Sequence, residues 1–401
     1  MPARIVKENV YAVGAIDWDR TLFDALIPLP HGTSYNAYLI RGTEKTALLD
    51  TVEPAKLKVL QENLAQLNIQ SIDYVISHHA EQDHSGSIPA ILEQYPAARL
   101  VTSKKGQDML IPLLKLPPER IQLIDDRQAL PLGGKTLQFI FAPWVHWPET
   151  MFSYLLEDKI LFSCDLFGSH LASSELFASA NENTRLEMKR YYAEIMMPFS
   201  ARISKHLEML KSFDIRMIAP SHGPVHDNPE MVFDSYRDWT SSQVKNEVVL
   251  LYISMHGSTE TIANYLADCL IQKNIRVKPF NLISASLGEI ALALVDAATV
   301  LIATPAVLMG PHPNVVYATY LINTLKPKTK FAGILGSFGW AHKVVDQITN
   351  LLQDLGVEFL PPLLIKGHPQ EQDYSEIQRF AALIEEKHYA HFNQATIPAK
   401  E

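Results

Sequence analysis

His79-Ala80-Glu81-Gln82-Asp83-His84 follows, one residue on, the apolar run IDYVIS at residues 72–77. A run of that kind reads as a buried strand, and the chain leaves a rigid sheet at its end, so side chains presented there are well fixed. Alternate residues of an extended segment point the same way, which predicts that His79, Glu81 and Asp83 converge within the loop. Three further potential ligands sit in equivalent places. His146 follows LQFIFAPWV, Asp165 follows KILFSC, and His222 follows IRMIAPS. A lone histidine after a strand is more often a satisfied polar residue than a ligand, and a lone aspartate there is as often a cap. Four strand exits carrying His or Asp weigh against accident. With His84 the set reaches seven N/O donors, more than one tetrahedral ion takes, so two metals are expected with one carboxylate shared between them. The set lacks thiolates, and a carboxylate rather than an imidazole at Glu81 favours iron over a binuclear zinc hydrolase.

The whole chain frames this loop. It has 401 residues with 47% hydrophobic and 20% charged side chains, an ordinary globular composition that excludes disordered, fibrous and coiled-coil classes and calls for two or three domains. The longest near-apolar stretch, residues 297–309, falls short of the roughly 18 residues that suggest a membrane span. A net charge of −9 argues against nucleic acid as a partner. With 15 His but only Cys164 and Cys269, the chain has neither a disulfide framework nor a thiolate cluster, and a cytoplasmic location without a leader is expected.

The pattern changes near residue 240. Earlier, short strand-like runs alternate with turns, with helical patterns at 54–67 and 186–213. Later, EVVLLYI, RVKPFNL, TVLIATP, FAGILGS and EFLPPLLIKG are each followed by a helical stretch, the last at 374–388. Five such repeats predict a doubly wound parallel sheet. The polar segment 239–245 is the expected linker, which gives domains at 1–245 and 246–401.

Directly after EVVLLYI comes Ser254-Met255-His256-Gly257-Ser258-Thr259 and then a helix. Hydroxyls and backbone N–H groups at a helix start form an anion site. The loop is neither G-x-G-x-x-G nor G-x-x-x-x-G-K-[ST], so a monophosphate is expected rather than a dinucleotide or nucleoside triphosphate. Two later strand exits, with Thr304, Pro305 and Gly310 on one and Ser337, Phe338, Gly339 and Trp340 on the other, should share that sheet edge. Trp340 suits a flat ring system, and a monophosphate with a flat ring reads as FMN.

Taken in order, GAIDW (14–18), GTSYNAYL (32–39), the H-x-E-x-D-H loop, VHWPE (145–149), CDLFG (164–168), RYYAEIMMPFS (190–200), PSHG (220–223), SMHGST (254–259) and GSFGW (336–340) resemble the flavodiiron proteins over essentially the whole chain. The resemblance implies a metallo-β-lactamase-like αββα sandwich followed by a flavodoxin-like FMN domain. It implies one iron on His79, Glu81 and His146, a second on Asp83, His84 and His222, and Asp165 bridging them. It further implies reduction of O2 to water, of NO to nitrous oxide, or of both. Electrons would come from an external donor, a rubredoxin-like protein or a reduced deazaflavin, and the family's head-to-tail homodimer, alone or as a dimer of dimers, would bring FMN to the iron pair. His84, His170 and Tyr192 are the expected proton and hydrogen-bond sources. Two alternatives remain at this point: a binuclear zinc hydrolase with an appended flavodoxin domain, and an FMN electron carrier that reduces no gas.

Overall fold

The computed structural model describes residues 2–394 and divides the chain into two compact units between Thr240 and Ser241. The division falls five residues before the expected boundary. The helix Pro229–Thr240 runs to the end of the first unit, and Trp239, expected in a polar linker, is 2% exposed in its packing face. Lys245 already opens the next strand. Among the described residues no helix is long and apolar enough to cross a membrane.

The first unit stacks two sheets. One has seven strands in the order Arg4–Lys7, Val10–Ala12, Tyr38–Arg41, Thr46–Leu49, Tyr74–Ile76, Arg99–Thr102 and Ile121–Leu123. The other has five, Ala129–Pro131, Thr136–Phe141, Met151–Leu155, Ile160–Phe162 and Met217–Ala219. Alternation along each strand decides which face a side chain serves. Ile40, Leu49, Ile76 and Val101 meet Leu137, Phe139, Leu155 and Phe162 in the core between the sheets. Their neighbours Leu39, Leu48, Val75 and Leu100 pack outward on Leu60, Leu64, Ile91 and Leu110 of the covering helices. On the far side Phe152 and Tyr154 meet His206 and Phe213. The layers are therefore αββα.

The helical expectation over 186–213 is broken in the middle. An α-helix Thr184–Tyr191 gives way to a π-helical stretch Tyr192–Met196 and a 3-10 turn Met197–Phe199 before the helix Ser200–Leu210 begins. Pro198 has no N–H to continue the ladder, so the register must shift there.

The second unit is a parallel sheet whose strands lie in the order Arg276–Asn281, Lys245–Tyr252, Ala297–Val307, Phe331–Phe338 and Glu358–Phe359, with Leu363–Lys366 beside Phe331–Phe338. In chain order this is 2-1-3-4-5, the flavodoxin-like winding. EFLPPLLIKG forms two short strands rather than one because Pro361 and Pro362 cannot donate to a ladder. Alternate residues of Lys245–Tyr252 feed opposite cores: Val248 and Leu250 meet the helices Ser258–Gln272 and Glu371–Gln394, whereas Val249 and Leu251 meet Leu287–Leu294 and Pro313–Leu325. The last helix starts at Glu371, earlier than the apolar period indicates, because Asp373 accepts the backbone N–H of Gln370 at 2.7 Å and caps it.

Candidate functional site

Both sheets of the first unit deliver side chains to one place. The loop after Tyr74–Ile76 brings His79 and Glu81, then turns into a single helical turn Gln82–Ser85 that carries Asp83 and His84. Extended alternation thus holds only as far as Glu81. Asp83 and His84 reach the site from the helical turn. The second sheet supplies His146 after Thr136–Phe141, Asp165 after Ile160–Phe162 and His222 after Met217–Ala219.

The seven donors divide around the Asp165 carboxylate. Its Oδ2 lies 3.0 Å from His79 Nε2 and 3.2 Å from His146 Nε2, and His146 Nε2 is 3.1 Å from Glu81 Oε2. Its Oδ1 lies 3.1 Å from His84 Nε2 and 3.4 Å from His222 Nε2, and both of these are 3.2 Å from Asp83 Oδ2. One ligand atom each of His79, Glu81, His146 and Asp165 lie within 4.8 Å of one another, as do those of His84, Asp165 and His222 and those of His79, Asp83 and His84. Every one of these residues except Glu81 and His146 is buried.

The electrostatics favour cations here. Burial alone would push His84 down, but Asp83 and Asp165 reverse this and bring it to about 9. His146 behaves alike: burial lowers it, and Asp165 with Glu81 raise it to about 9. Burial would raise Asp83, yet His84 and His222 hold it at about 2. Both oxygens of Asp83, both ring nitrogens of His79 and Nδ1 of His84 are buried without a hydrogen bond. Ring nitrogens and carboxylate oxygens that crowd together around Asp165, several of them with no hydrogen bond of their own, are what metal ligands present, so these residues fit two ions. His222 is held for this task, since its Nδ1 donates to the Ser34 carbonyl at 2.6 Å and leaves Nε2 as the donor atom. The PSHG turn behind it is clamped by Asn36 Nδ2, which donates to the carbonyls of Pro220 at 2.8 Å and Gly223 at 2.7 Å. Gly223 sits at φ +79°, where a Cβ would lie 2.0 Å from Ser169 Oγ.

His170 reaches the same cavity. Its Nδ1 pairs with Thr33 Oγ1 at 2.9 Å, its Nε2 is buried without a partner, and its ring centroid lies 4.9 Å from that of His222. Tyr192 does not. Its hydroxyl donates to the Trp239 carbonyl at 3.1 Å and its ring packs on Tyr236 and Trp239. The preceding Tyr191 takes the expected place, 4.8 Å from the His170 ring and 5.8 Å from that of His222. Adjacent helical residues diverge by about 100°, and sequence gives no phase for a helix that ends in a π-turn.

In the second unit the ends of three adjacent strands meet at one edge. Thr304 pairs in register with Gly336 and Pro305 with Ser337, beside Tyr252 paired with Ala303. Ser254 through Ser258 form the turn into the helix Ser258–Gln272, with Gly257 in the left-handed region at φ +84° and open space where a Cβ would stand. Ser254 Oγ is buried without a partner at that helix start, which suits a phosphate oxygen. Met255, Leu308, Met309 and Trp340 are exposed apolar side chains on the surrounding loops, and His256 and Gly339 are exposed with them. That rim fits a flat ring. Other expected contacts work internally. The Thr304 hydroxyl accepts the His312 N–H at 3.0 Å and donates to Pro305 O, Thr259 and Ser337 share a hydrogen bond of 3.0 Å, and Gly310 packs against Gln347. Phe338 packs on His342 at 4.7 Å.

Residues 33–223 match the model of the ODP family beta lactamase, and residues 250–380 match Flavodoxin. The rubredoxin-oxygen oxidoreductase of Megalodesulfovibrio gigas is 30% identical over 96% of this chain and 98% of its own. The chain belongs to the flavodiiron proteins. The anaerobic nitric oxide reductase flavorubredoxin of Aliivibrio salmonicida is 33% identical over 91% of this chain and 75% of its own length. Among solved structures, rubredoxin oxygen:oxidoreductase from Desulfovibrio gigas superposes with a TM-score of 0.93 at 30% identity, covering 97% of this chain and 99% of that one. The flavodiiron protein from Giardia intestinalis gives 0.90 at 28% identity over 96% and 98%. As a flavodiiron protein the chain is an oxidoreductase, with FMN and a di-iron centre as its cofactors.

Proposed function

We propose that this flavodiiron protein reduces O2 to water and NO to nitrous oxide, with O2 as the main substrate and with electrons entering through FMN. The observation that carries the reading is the division of seven donors, all but Glu81 and His146 buried, into two sets that face opposite oxygens of Asp165. His79, Glu81 and His146 would hold one iron and Asp83, His84 and His222 the other, with one Asp165 oxygen for each. When bound, the irons supply Lewis acidity and two electrons and the flavin two more, which matches the four electrons of O2 + 4 e− + 4 H+ → 2 H2O and exceeds the two of 2 NO + 2 e− + 2 H+ → N2O + H2O.

The chain's own groups supply the rest. Burial pushes His170 well below the usual histidine range, so it is neutral, and the hydrogen bond of Nδ1 with Thr33 leaves the buried Nε2 free on a ring 4.9 Å from that of His222. Tyr191, raised above the usual tyrosine range by burial, keeps its proton, and its ring lies 4.8 Å from that of His170. Phe23, 4.9 Å from the His170 ring, helps to exclude water. Ser254 and the helix start would hold the flavin phosphate.

The donor is proposed to be a separate small redox carrier, a rubredoxin-like protein or a reduced deazaflavin, because two buried, separated cysteines give no cluster. A head-to-tail homodimer is supported by exposed apolar side chains beside each cofactor site: Leu22 and Trp144 near the metal loops, Leu308 and Trp340 near the flavin loops.

Stopped-flow mixing of the fully reduced protein with O2 and, separately, with NO tests the reading. Flavin reoxidation faster with O2 than with NO is expected. A flavin that stays reduced with both gases overturns it, as does metal analysis that finds zinc in place of iron.

A further inference from the structure

His78 is not among the seven donors. In the structure it is 1% exposed and all of its polar groups are engaged. Its backbone N–H donates to Asp50 Oδ1 at 2.9 Å, and its ring Nδ1 meets Asp50 Oδ2 at 2.6 Å. Its Nε2 meets Ser153 Oγ at 2.8 Å, and its carbonyl accepts the Met151 N–H at 2.9 Å. Asp50 directly follows the strand Thr46–Leu49 of the seven-stranded sheet, whereas Met151 and Ser153 belong to Met151–Leu155 of the five-stranded sheet. One imidazole therefore spans the two sheets at the residue immediately before the first metal ligand.

The position matters because the ligand set is itself divided between the sheets. His79, Glu81, Asp83 and His84 ride on the loop from one; His146, Asp165 and His222 ride on the other. Their separation is set by whatever fixes one sheet edge to the other at this level. Ala80 is pinned in the same sense, its N–H donating to Glu149 Oε1 at 2.8 Å, while within the loop Ser77 Oγ donates to the His79 carbonyl at 2.8 Å. Partners that orient ligands in this way typically contribute roughly 10–100-fold to metal affinity.

We propose that His78 is a positioning residue: as a strut between Asp50 and Ser153 it sets the distance from His79 to the Asp165 side of the metal centre. The proposal rests on the ligand assignment above. Removing the Ser153 hydroxyl takes away the second-sheet end of the strut while Asp50 still holds the first, so the loop stays folded but loses its register against Asp165.

The test compares iron-loaded, FMN-loaded wild type with S153A, S153T and H78N. The readouts are the rate of iron loss to a ferrous chelator, the electron paramagnetic resonance signal of the half-oxidised iron pair, FMN content and the unfolding midpoint. Wild type should hold two irons. S153A and H78N should lose iron about 10-fold faster with an altered resonance signal, S153T should restore both, and FMN content should not change. Iron loss and resonance signal in S153A identical to wild type would overturn the strut, as would a defect that S153T leaves unrepaired. A lowered midpoint with unaltered resonance would reduce His78 to a packing role and also overturn it. Wild type without two irons would overturn the ligand assignment itself, a result distinguishable from failure of the strut because it precedes any substitution.

Discussion

His84 Nε2 lies 3.1 Å from Asp165 Oδ1, the oxygen that His79 and His146 do not face. This one contact separates two half-sites that a sequence motif runs together, and it makes the two residues unequal under substitution. Asp165→Asn removes the shared anion and should deplete both irons, by at least the roughly 10–100-fold in affinity that loss of an outer partner costs. His84→Ala should weaken one iron and spare the other. Metal analysis after dialysis against a chelator reads the difference, with FMN content as the internal control.

Tyr191 and Tyr192 are neighbours with opposite duties. Tyr191→Phe takes the hydroxyl from the pocket beside His170 and should slow gas reduction by about 10-fold or more, with little change in stability. Tyr192→Phe leaves the Trp239 carbonyl without its donor and should cost about 1 kcal/mol of stability while turnover is unchanged. Steady-state rates and urea unfolding of both variants check the pair. The reverse pattern would return the pocket role to Tyr192.

Ser254 should matter for flavin retention. Its Oγ is buried and unpartnered at the start of the helix Ser258–Gln272, and a hydrogen bond to a charged phosphate contributes about 1.5–3 kcal/mol. Ser254→Ala should weaken FMN binding by about 10-fold or more. Titration of the flavin-free protein, followed by quenching of flavin fluorescence, measures it.

The second unit should lose stability in mild acid. His388 Nδ1 pairs with Asn246 Oδ1 at 2.6 Å and Nε2 with Thr299 Oγ1 at 2.7 Å, and burial, with His391 adding to it, pushes the ring down to about 4. An unfolded chain binds this proton near pH 6.5, so below that value it takes up a proton that the folded form refuses. The stability present above about pH 6.5 is therefore lost progressively as pH falls towards 4. Unfolding midpoints of the holoprotein, followed by flavin release between pH 7 and 4, should fall less steeply in His388→Gln.

How much of this was legible beforehand follows from the range of each interaction. His79, Glu81, Asp83, His146, Asp165 and His222 stood out because each lies a few residues past an apolar strand, and strand ends are visible locally. The phosphate turn at Ser254–Ser258 was legible for the same reason. Asp50 also closes an apolar run, EKTALLD, yet nothing in that run tells that its carboxylate holds His78. His78 gives no local signal either, because its partners are 28 and 75 residues away. The expected linker failed at Trp239, whose burial depends on Tyr192 and Tyr236 rather than on its polar neighbours.

By itself, then, the sequence determined which residues are the candidate metal donors, that none of them is a thiolate, which turn is the candidate phosphate site, and the order of sandwich and parallel sheet. These depend on residue type and on periods of two and 3.6, which need only near neighbours. Tertiary structure alone decided which Asp165 oxygen serves which histidines, which tyrosine of an adjacent pair enters the pocket, and what spans the sheets behind His79. Those depend on helix phase and on contacts between strands distant in the chain, and both are fixed only when the two sheets close on their common core.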